Sequence, residues 1–378
     1  MKRAALWAIL ALLVAGVVEG TAALAVALLV RRGELTALPQ LADDEIARAL
    51  ARRSDRLGWG PATDAAGRVA VPAPRPDPAF AGGPPCASAY GDSFTLGAAD
   101  DATYPHDLAL RLGCRVTNFG VGGYGSDQAV MLFRAQLDVD PAPVVLLGHM
   151  TEDVERNVNQ YRLFLDRENR LGFKPRFVLA HGALQYVPIP VRSADDYRAV
   201  ARDPEAWLTE EAFLRRRRAT FPYAFSLFRW TLAELPARIG TKLWGTPPWA
   251  ALYAPDHPSH ALQVTARLLS VFAAEALGRG KTPVVVILPT RTDLRYAQRS
   301  GRWVEQPLVD ALRAEGRLVL QPGKEMLARL AGADPGRVYN EGDGHPTAEG
   351  YAMLADAVAG GLAAAHVRPG VAVARAPD

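Results

Sequence analysis

The stretch ASAYGDSFTLG, residues 87–97, decides how the rest of the chain is read. Residues 87–91 form a short run of small and aromatic side chains of buried-strand length, and Gly91-Asp92-Ser93 breaks it with turn-forming residues. Taken alone, Gly-Asp-Ser is ordinary turn chemistry. It becomes a candidate site only if the strand-then-turn pattern recurs with reactive residues at the strand ends.

The pattern does recur. Apolar runs of strand length fall at 115–119, 144–148, 284–288 and 318–321, with helix-like stretches between them. Such alternation predicts an α/β fold whose parallel sheet is covered by helices on both faces. PRFVLAHGALQYVPIP, residues 175–190, differs: two alternating runs flank His181-Gly182 and predict a β-hairpin added to that architecture. Residues 193–280 are rich in Trp, Phe and Arg and too long for an ordinary crossover, so they are expected to form a helical cap beside the site. Residues 367–378 read as a frayed tail. Cys86 and Cys114 open the first two strands. If these are parallel neighbours the two side chains start level, leaving either a disulfide, suited to an oxidising extracytoplasmic compartment, or two buried thiols.

Upstream, residues 4–30 form an apolar run interrupted by Gly16, Glu19, Gly20 and Thr21, with Lys2-Arg3 before it and Arg31-Arg32 after it. At about 1.5 Å per residue this run reaches roughly 40 Å, enough to cross a hydrocarbon layer of ~30 Å. Ala23-Leu24-Ala25 resembles a signal-peptidase site, but the apolar run continues past it to Val30, so residues 1–33 are expected to stay attached as a transmembrane signal anchor. Basic residues flank both ends, so charge does not fix the orientation. Residues 34–85 read as a stalk, with a short amphipathic helix near 43–53 and six prolines in VPAPRPDPAFAGGPP, residues 71–85.

The 378 residues are 49% hydrophobic and 22% charged with a net charge of +3, which suits a full-sized globular core and makes no case for nucleic acid as partner. No Cys/His metal cluster or P-loop lysine motif is present, and no metal or organic cofactor is implied.

In an open α/β sheet ligands bind beyond the carboxyl ends of the strands, so those positions hold the candidates. Gly91-Asp92-Ser93 follows the first strand. Asn118-Phe119-Gly120-Val121-Gly122-Gly123 closes the second, and Gly148-His149-Met150-Thr151-Glu152-Asp153 the third. Late in the chain NEGDGHPTAEGY supplies Asp343 and His345. A serine hydroxyl needs a base within reach, and the base needs an acid to fix its tautomer. Ser93, His345 and Asp343 supply that set, with Glu341 a second choice of acid. His149 is a possible pocket residue, while His106, His181, His257 and His260 fall in structural or surface contexts.

Together GDSF, the Asn-x-Gly-x-x-Gly block and Asp-Gly-His-Pro resemble the SGNH/GDSL hydrolase family over residues 86–366. The resemblance implies a flavodoxin-like three-layer fold, Ser93 as nucleophile, and backbone amides of Ser93 and Gly123 as oxyanion donors. Two departures stand out. Where the family offers Gly-x-Asn-Asp, this chain has Thr151-Glu152-Asp153, so the missing donor would be a protonated Glu152, or Asn157 or Asn159 reaching back, or nothing. The family's Asp-x-x-His is here Asp343-Gly344-His345, similar to the branch of polysaccharide O-acetyltransferases.

The expectation is thus a membrane-anchored, extracytoplasmic serine esterase removing acyl groups, acetyl above all, from cell-envelope carbohydrate or a glycoconjugate, with an acylated carbohydrate or lipid-linked substrate as partner. Two alternatives stay open: an O-acetyltransferase using the same residues, and a non-catalytic glycan-binding module. Arg215-Arg216-Arg217-Arg218 is expected to be a solvated helix face. Trp207, Trp230, Trp244 and Trp249 are read as cap core rather than sugar-stacking platforms.

Overall fold

A sheet ordered β2-β1-β3-β6-β7, with every paired neighbour parallel, organises the computed structural model, which describes residues 2–60, 74–80 and 82–369. The strands are β1 (Ala87–Gly91), β2 (Val116–Gly120), β3 (Val144–Met150), β6 (Thr282–Leu288) and β7 (Val319–Leu320). A separate antiparallel pair, β4 (Arg176–Ala180) and β5 (Ala183–Val187), turns through His181-Gly182, both at positive φ. The predicted hairpin is therefore real but stands apart from the main sheet.

Alternation along the strands explains why the sheet is covered twice. Ala89, Leu146 and Val286 enter one apolar cluster, while Tyr90, Leu147 and Val285 enter the other. The helices before β3 are α1 (Lys2–Arg32), α2 (Asp43–Arg52), α3 (Ser93–Leu96), α4 (Tyr104–Leu112) and α5 (Ser126–Gln136). Between β3 and β6 lie α6 (Asp153–Arg156), α7 (Ala194–Arg202), α8 (Pro204–Trp207), α9 (Leu214–Arg217), α10 (Tyr223–Trp244) and α11 (Ala261–Gly278). Then come α12 (Arg291–Ser300), α13 (Gln306–Ala314), α14 (Pro322–Leu330) and α15 (Ala348–Ala364). Helices α5, α11 and α13 share the Tyr90 face, and α4, α14 and α15 the Ala89 face.

Cys86 and Cys114 form a disulfide with Cα atoms 6.0 Å apart. It clips β1 to β2 at the ends opposite the nucleophile turn, because Gly91 pairs with Gly120 at the far end.

Three expectations need correction. First, residues 34–60 are not a free stalk. Ile46 of α2 and Leu57 are buried in the main core, and Leu57 O accepts from Gln128 Nε2. Trp59 Nε1 donates to Gly122 O, and Arg75 N donates to Asn118 O. These apolar side chains gain more by burial on the domain than an extended spacer would allow. Of the proline-rich stretch, residues 71–73 and 81 lie outside the described residues.

Second, the 193–280 segment is not one cap beside the site. Helix α11 buries Leu268, Leu269 and Phe272 and packs on β6, so it belongs to the sheet's helical layer. Helix α10 packs on α1 instead. Third, the arginine run is a solvated face only at Arg215, which is exposed: Arg216 Nε and Arg217 Nη2 lie 2.6 and 3.2 Å from buried Glu234, and Arg218 pairs with Glu205. Of the expected tail, residues 367–369 are described, and Val367 packs on the Ala89-side cluster.

Candidate active site

Strand order reverses between β1 and β3, which makes their carboxyl ends the crevice of a doubly wound sheet. Ser93 sits there, immediately after β1, as the first residue of α3. Asp92 caps that turn: its Oδ1 accepts from Phe94 N at 2.9 Å. Asn118 ties the turn to β2, donating Nδ2 to Thr95 O at 2.9 Å while its Oδ1 accepts from Gly120 N at 2.9 Å. Gly120 is required for this contact, since a Cβ there would lie 2.2 Å from Leu96 N. The nucleophile turn is thus pressed directly onto the end of the second strand.

A cavity of about 340 Å³ opens over this turn. Ser93 and Phe94 form its floor; Met150, Glu152 and Arg156 enter from the β3 end; Thr290, Arg291 and Thr292 come from the β6 end; Trp249 comes from the β5–α11 connection. Asp343, Gly344 and His345 close it from the loop before α15. The three residues separated by up to 252 positions in sequence therefore meet around one space.

The late loop is built to present His345. Asn340 N donates to His345 O at 2.8 Å and Thr347 N donates to Val338 O at 3.0 Å, with the His345 ring 5.4 Å from the Phe94 ring. Gly344, at φ +73°, folds the chain so that both Asp343 oxygens face the histidine. Oδ1 accepts from His345 N at 3.1 Å, and Oδ2 lies 3.3 Å from His345 Nδ1. The short Asp-x-His spacing is accommodated by that one glycine. Asp343, not Glu341, is the carboxylate at His345. Its side chain is 63% exposed, so the pair is solvated on one side.

The β3 end carries a group the sequence reading did not weigh. Arg156 is buried, and its Nη1 donates to Asp92, Asp153 and Tyr124 O while Nη2 donates to Glu152 Oε1 at 2.9 Å. Three carboxylates thus share one guanidinium. Burial, with Asp92 beside it, pushes the Asp153 carboxyl well above its usual range despite that partner. The i, i+4 spacing of Glu152 and Arg156 was the available signal.

Glu152 lines the cavity with its Oε1 accepting from Arg156 Nη2 at 2.9 Å. Neither asparagine replaces the family residue. Asn157 Oδ1 accepts from Asp127 N while Nδ2 donates to Thr265, and Asn159 Nδ2 donates to Tyr161 O; both are fully buried away from the cavity. Gly123 lies in the loop after β2 at φ +75°, outside the ring of side chains lining the cavity, where a Cβ would meet Trp59 Nε1 at 3.6 Å.

His149 is buried and does not line the cavity. Its Nδ1 lies 2.7 Å from Ser126 Oγ and its Nε2 3.0 Å from Tyr253 OH, which donates to Thr151 O. Burial, reinforced by Arg156, lowers its pKa to about 3, so the ring stays neutral. Trp249 is the tryptophan that faces the cavity, with Nε1 donating to Asp293 at 3.3 Å, whereas Trp230 is buried against α1.

No protein-family model matches the chain, and no curated protein matches it. Among solved structures, a member of the lipolytic protein G-D-S-L family from Veillonella parvula aligns at TM-score 0.35 and 10% identity, over 72% of this chain and 94% of that one. A lipase/acylhydrolase from Enterococcus faecalis aligns at TM-score 0.37 and 11% identity, over 76% and 98%. A variant of an acetyl-xylooligosaccharide esterase from Geobacillus aligns at TM-score 0.34 and 12% identity, over 77% and 96%. Likeness at this level assigns no chemistry, which rests on the residues themselves.

Proposed function

We propose that the protein is a membrane-anchored serine esterase of the SGNH/GDSL type that hydrolyses short acyl esters, acetyl first, on cell-envelope carbohydrate. The observation that carries this reading is the convergence of Ser93, His345 and Asp343 on one cavity at the carboxyl ends of β1 and β3. Ser93 Oγ attacks the acyl carbonyl, and His345 Nε2 takes its proton and returns it to the leaving sugar oxygen. Asp343, with Oδ2 3.3 Å from Nδ1, stabilises the imidazolium by its charge. Water then repeats the sequence on the acyl-enzyme.

The oxyanion is assigned to the Ser93 amide, which has no helical acceptor at the start of α3; the family resemblance adds the Gly123 amide, which lies in the loop after β2 and does not line the cavity. Arg156 stands in the cavity wall with its charge already met by Asp92, Asp153 and Glu152, and holds Glu152 at the rim. The apolar surface offered by Phe94, Met150 and Trp249 suits a short acyl group, while Glu152, Thr290, Arg291 and Thr292 offer hydrogen-bonding partners to a polyhydroxylated carrier. The anchor reading rests on α1, within residues 3–32 of which the most apolar 18-residue window has a mean hydropathy of 2.2 and is only 11% buried. The Cys86–Cys114 disulfide favours an oxidising compartment outside the cytoplasm.

Full-length protein in detergent, treated with a fluorophosphonate probe and assayed on an aryl acetate with and without oligosaccharide acceptors, tests the reading. Labelling and hydrolysis that vanish in Ser93→Ala are expected. Acceptor-dependent acyl transfer in place of hydrolysis would make it a transferase, and folded protein with neither labelling nor turnover would leave a binding module.

A further inference from the structure

Glu19 is a carboxylate inside an otherwise apolar helix, and it is not left alone. Its oxygens accept from the first two amides of α10: Tyr223 N, and Ala224 N at 3.1 Å. From that point α10 runs beside α1 in the same direction. Ala224, Leu227 and Phe228 lie at the level of Val18, Thr21 and Ala22; Trp230 packs on Val26; and Arg238 Nε reaches Glu34 at 2.5 Å.

The face of α10 turned away from α1 is apolar and uncovered. Phe221, Phe225, Phe228 and Leu232 are 70, 55, 57 and 64% exposed. Their spacing of four, three and four residues places them on one stripe of the helix. The opposite face carries Ser226, Trp230 and Glu234, all buried. A monomer does not ordinarily offer water such a row of large aromatic and aliphatic side chains.

The position of Glu19 fixes what covers the stripe. A span of about 20 residues crosses the hydrocarbon, and every stretch of that length within the apolar run 4–30 contains Glu19. A carboxylate at that depth needs polar partners inside the membrane. Those partners are the α10 amides, so the start of α10 lies as deep as Glu19. Val18 on α1, 50% exposed and lining the same groove as Phe228, continues the apolar surface.

We infer that the first three turns of α10, with Phe221 before them, are a second membrane-inserted element, docked on α1 through Glu19 and covered by the lipid bilayer that α1 spans. The inference rests on the anchor reading of α1. It makes the catalytic domain a body seated on the membrane through two helices.

Nitroxide accessibility in the full-length protein tests it. The two native cysteines are joined, so Phe225→Cys, Phe228→Cys and Leu13→Cys can each be spin-labelled separately, with Leu110→Cys on α4 as an exposed apolar reference. In phosphatidylcholine/phosphatidylglycerol nanodiscs, labels at 225 and 228 are expected to relax with oxygen and resist a nickel chelate, as at 13, while 110 does the reverse. Labels at 225 and 228 that behave like 110 while 13 stays lipid-exposed would overturn the inference and leave the anchor standing. Water-like behaviour at all four positions would overturn both. Dipolar broadening between copies at 228 without oxygen access would overturn it in favour of self-association.

Discussion

Asp343 is the member of the proposed triad whose contribution can be sized from its surroundings. Its Oδ2 is 3.3 Å from His345 Nδ1 and the side chain is 63% exposed. Two unit charges at that distance attract by about 1.3 kcal/mol at a water-like dielectric of ~80 and about 2.5 kcal/mol at ~40. This is the stabilisation lost when the imidazolium forms in the transition state without its carboxylate. At about 1.36 kcal/mol per factor of ten, Asp343→Asn lowers kcat roughly tenfold to seventyfold, whereas the same change at a buried triad aspartate costs on the order of 10⁴. Asparagine keeps an acceptor for His345 N, so the loop before α15 retains its shape and the effect reports charge. Steady-state kinetics on an aryl acetate with purified full-length variant measure it, with circular dichroism as the folding control. A loss beyond about 10³ would mean that Asp343 works in a desolvated site, and less than about threefold would mean that it does not orient the base.

Glu152→Asn places an amide donor where the related pattern has one; kcat on the same ester is expected to rise severalfold, and a tenfold or greater loss would show that the Glu152–Arg156 pair itself holds the site. The Cys86→Ala/Cys114→Ala pair opens a loop of sequence separation 28. By chain entropy that removes about 3.6 kcal/mol of stability at 25 °C, read as a lower denaturant midpoint, with kcat unchanged because the bond lies at the strand ends away from Ser93. His149 binds its proton far more weakly when folded, at about 3, than in the unfolded chain. The unfolded chain therefore takes up the extra proton as pH falls below about 6.5, and stability should drop between there and about pH 3, each unit of difference being about 1.36 kcal/mol. His149→Gln should flatten thermal stability between pH 7 and 4; an unchanged slope would place the acid sensitivity elsewhere.

What could be read from the sequence was what period and local spacing encode. Strands β1, β2, β3 and β6 were legible because both faces are buried and their apolar runs are continuous. Ser93, Asp343 and His345 stand out as candidates because they sit in recognisable turns. Arg156 does not, because an arginine beside Glu152 and Asp153 reads as helix-surface charge until burial shows that it serves three carboxylates. Trp249 reaches the cavity through the long β5–α11 connection, whose path no local pattern fixes. The 193–280 segment was misdivided for a related reason. Helices α10 and α11 are both apolar, and only their partners, α1 for one and β6 for the other, tell a membrane-side element from a core one. The free-stalk reading failed because prolines dominate 71–85, while the few side chains that dock the preceding segment, Ile46, Leu57 and Trp59, are scattered singly.

That docking sets the protein's reach. Left free, the twenty-seven residues from 34 to 60 would let a domain wander roughly 30 Å from its attachment. Held by Ile46, Leu57 and Trp59, they act as a strut. With α1 in a bilayer, the mouth of the cavity keeps one height above the surface, and Trp59 lays the end of that strut against the Gly122-Gly123 loop. On the proposed reading, distance from the membrane would select among otherwise identical esters, and adding residues to the strut would disturb the Gly122-Gly123 loop before it extended the range.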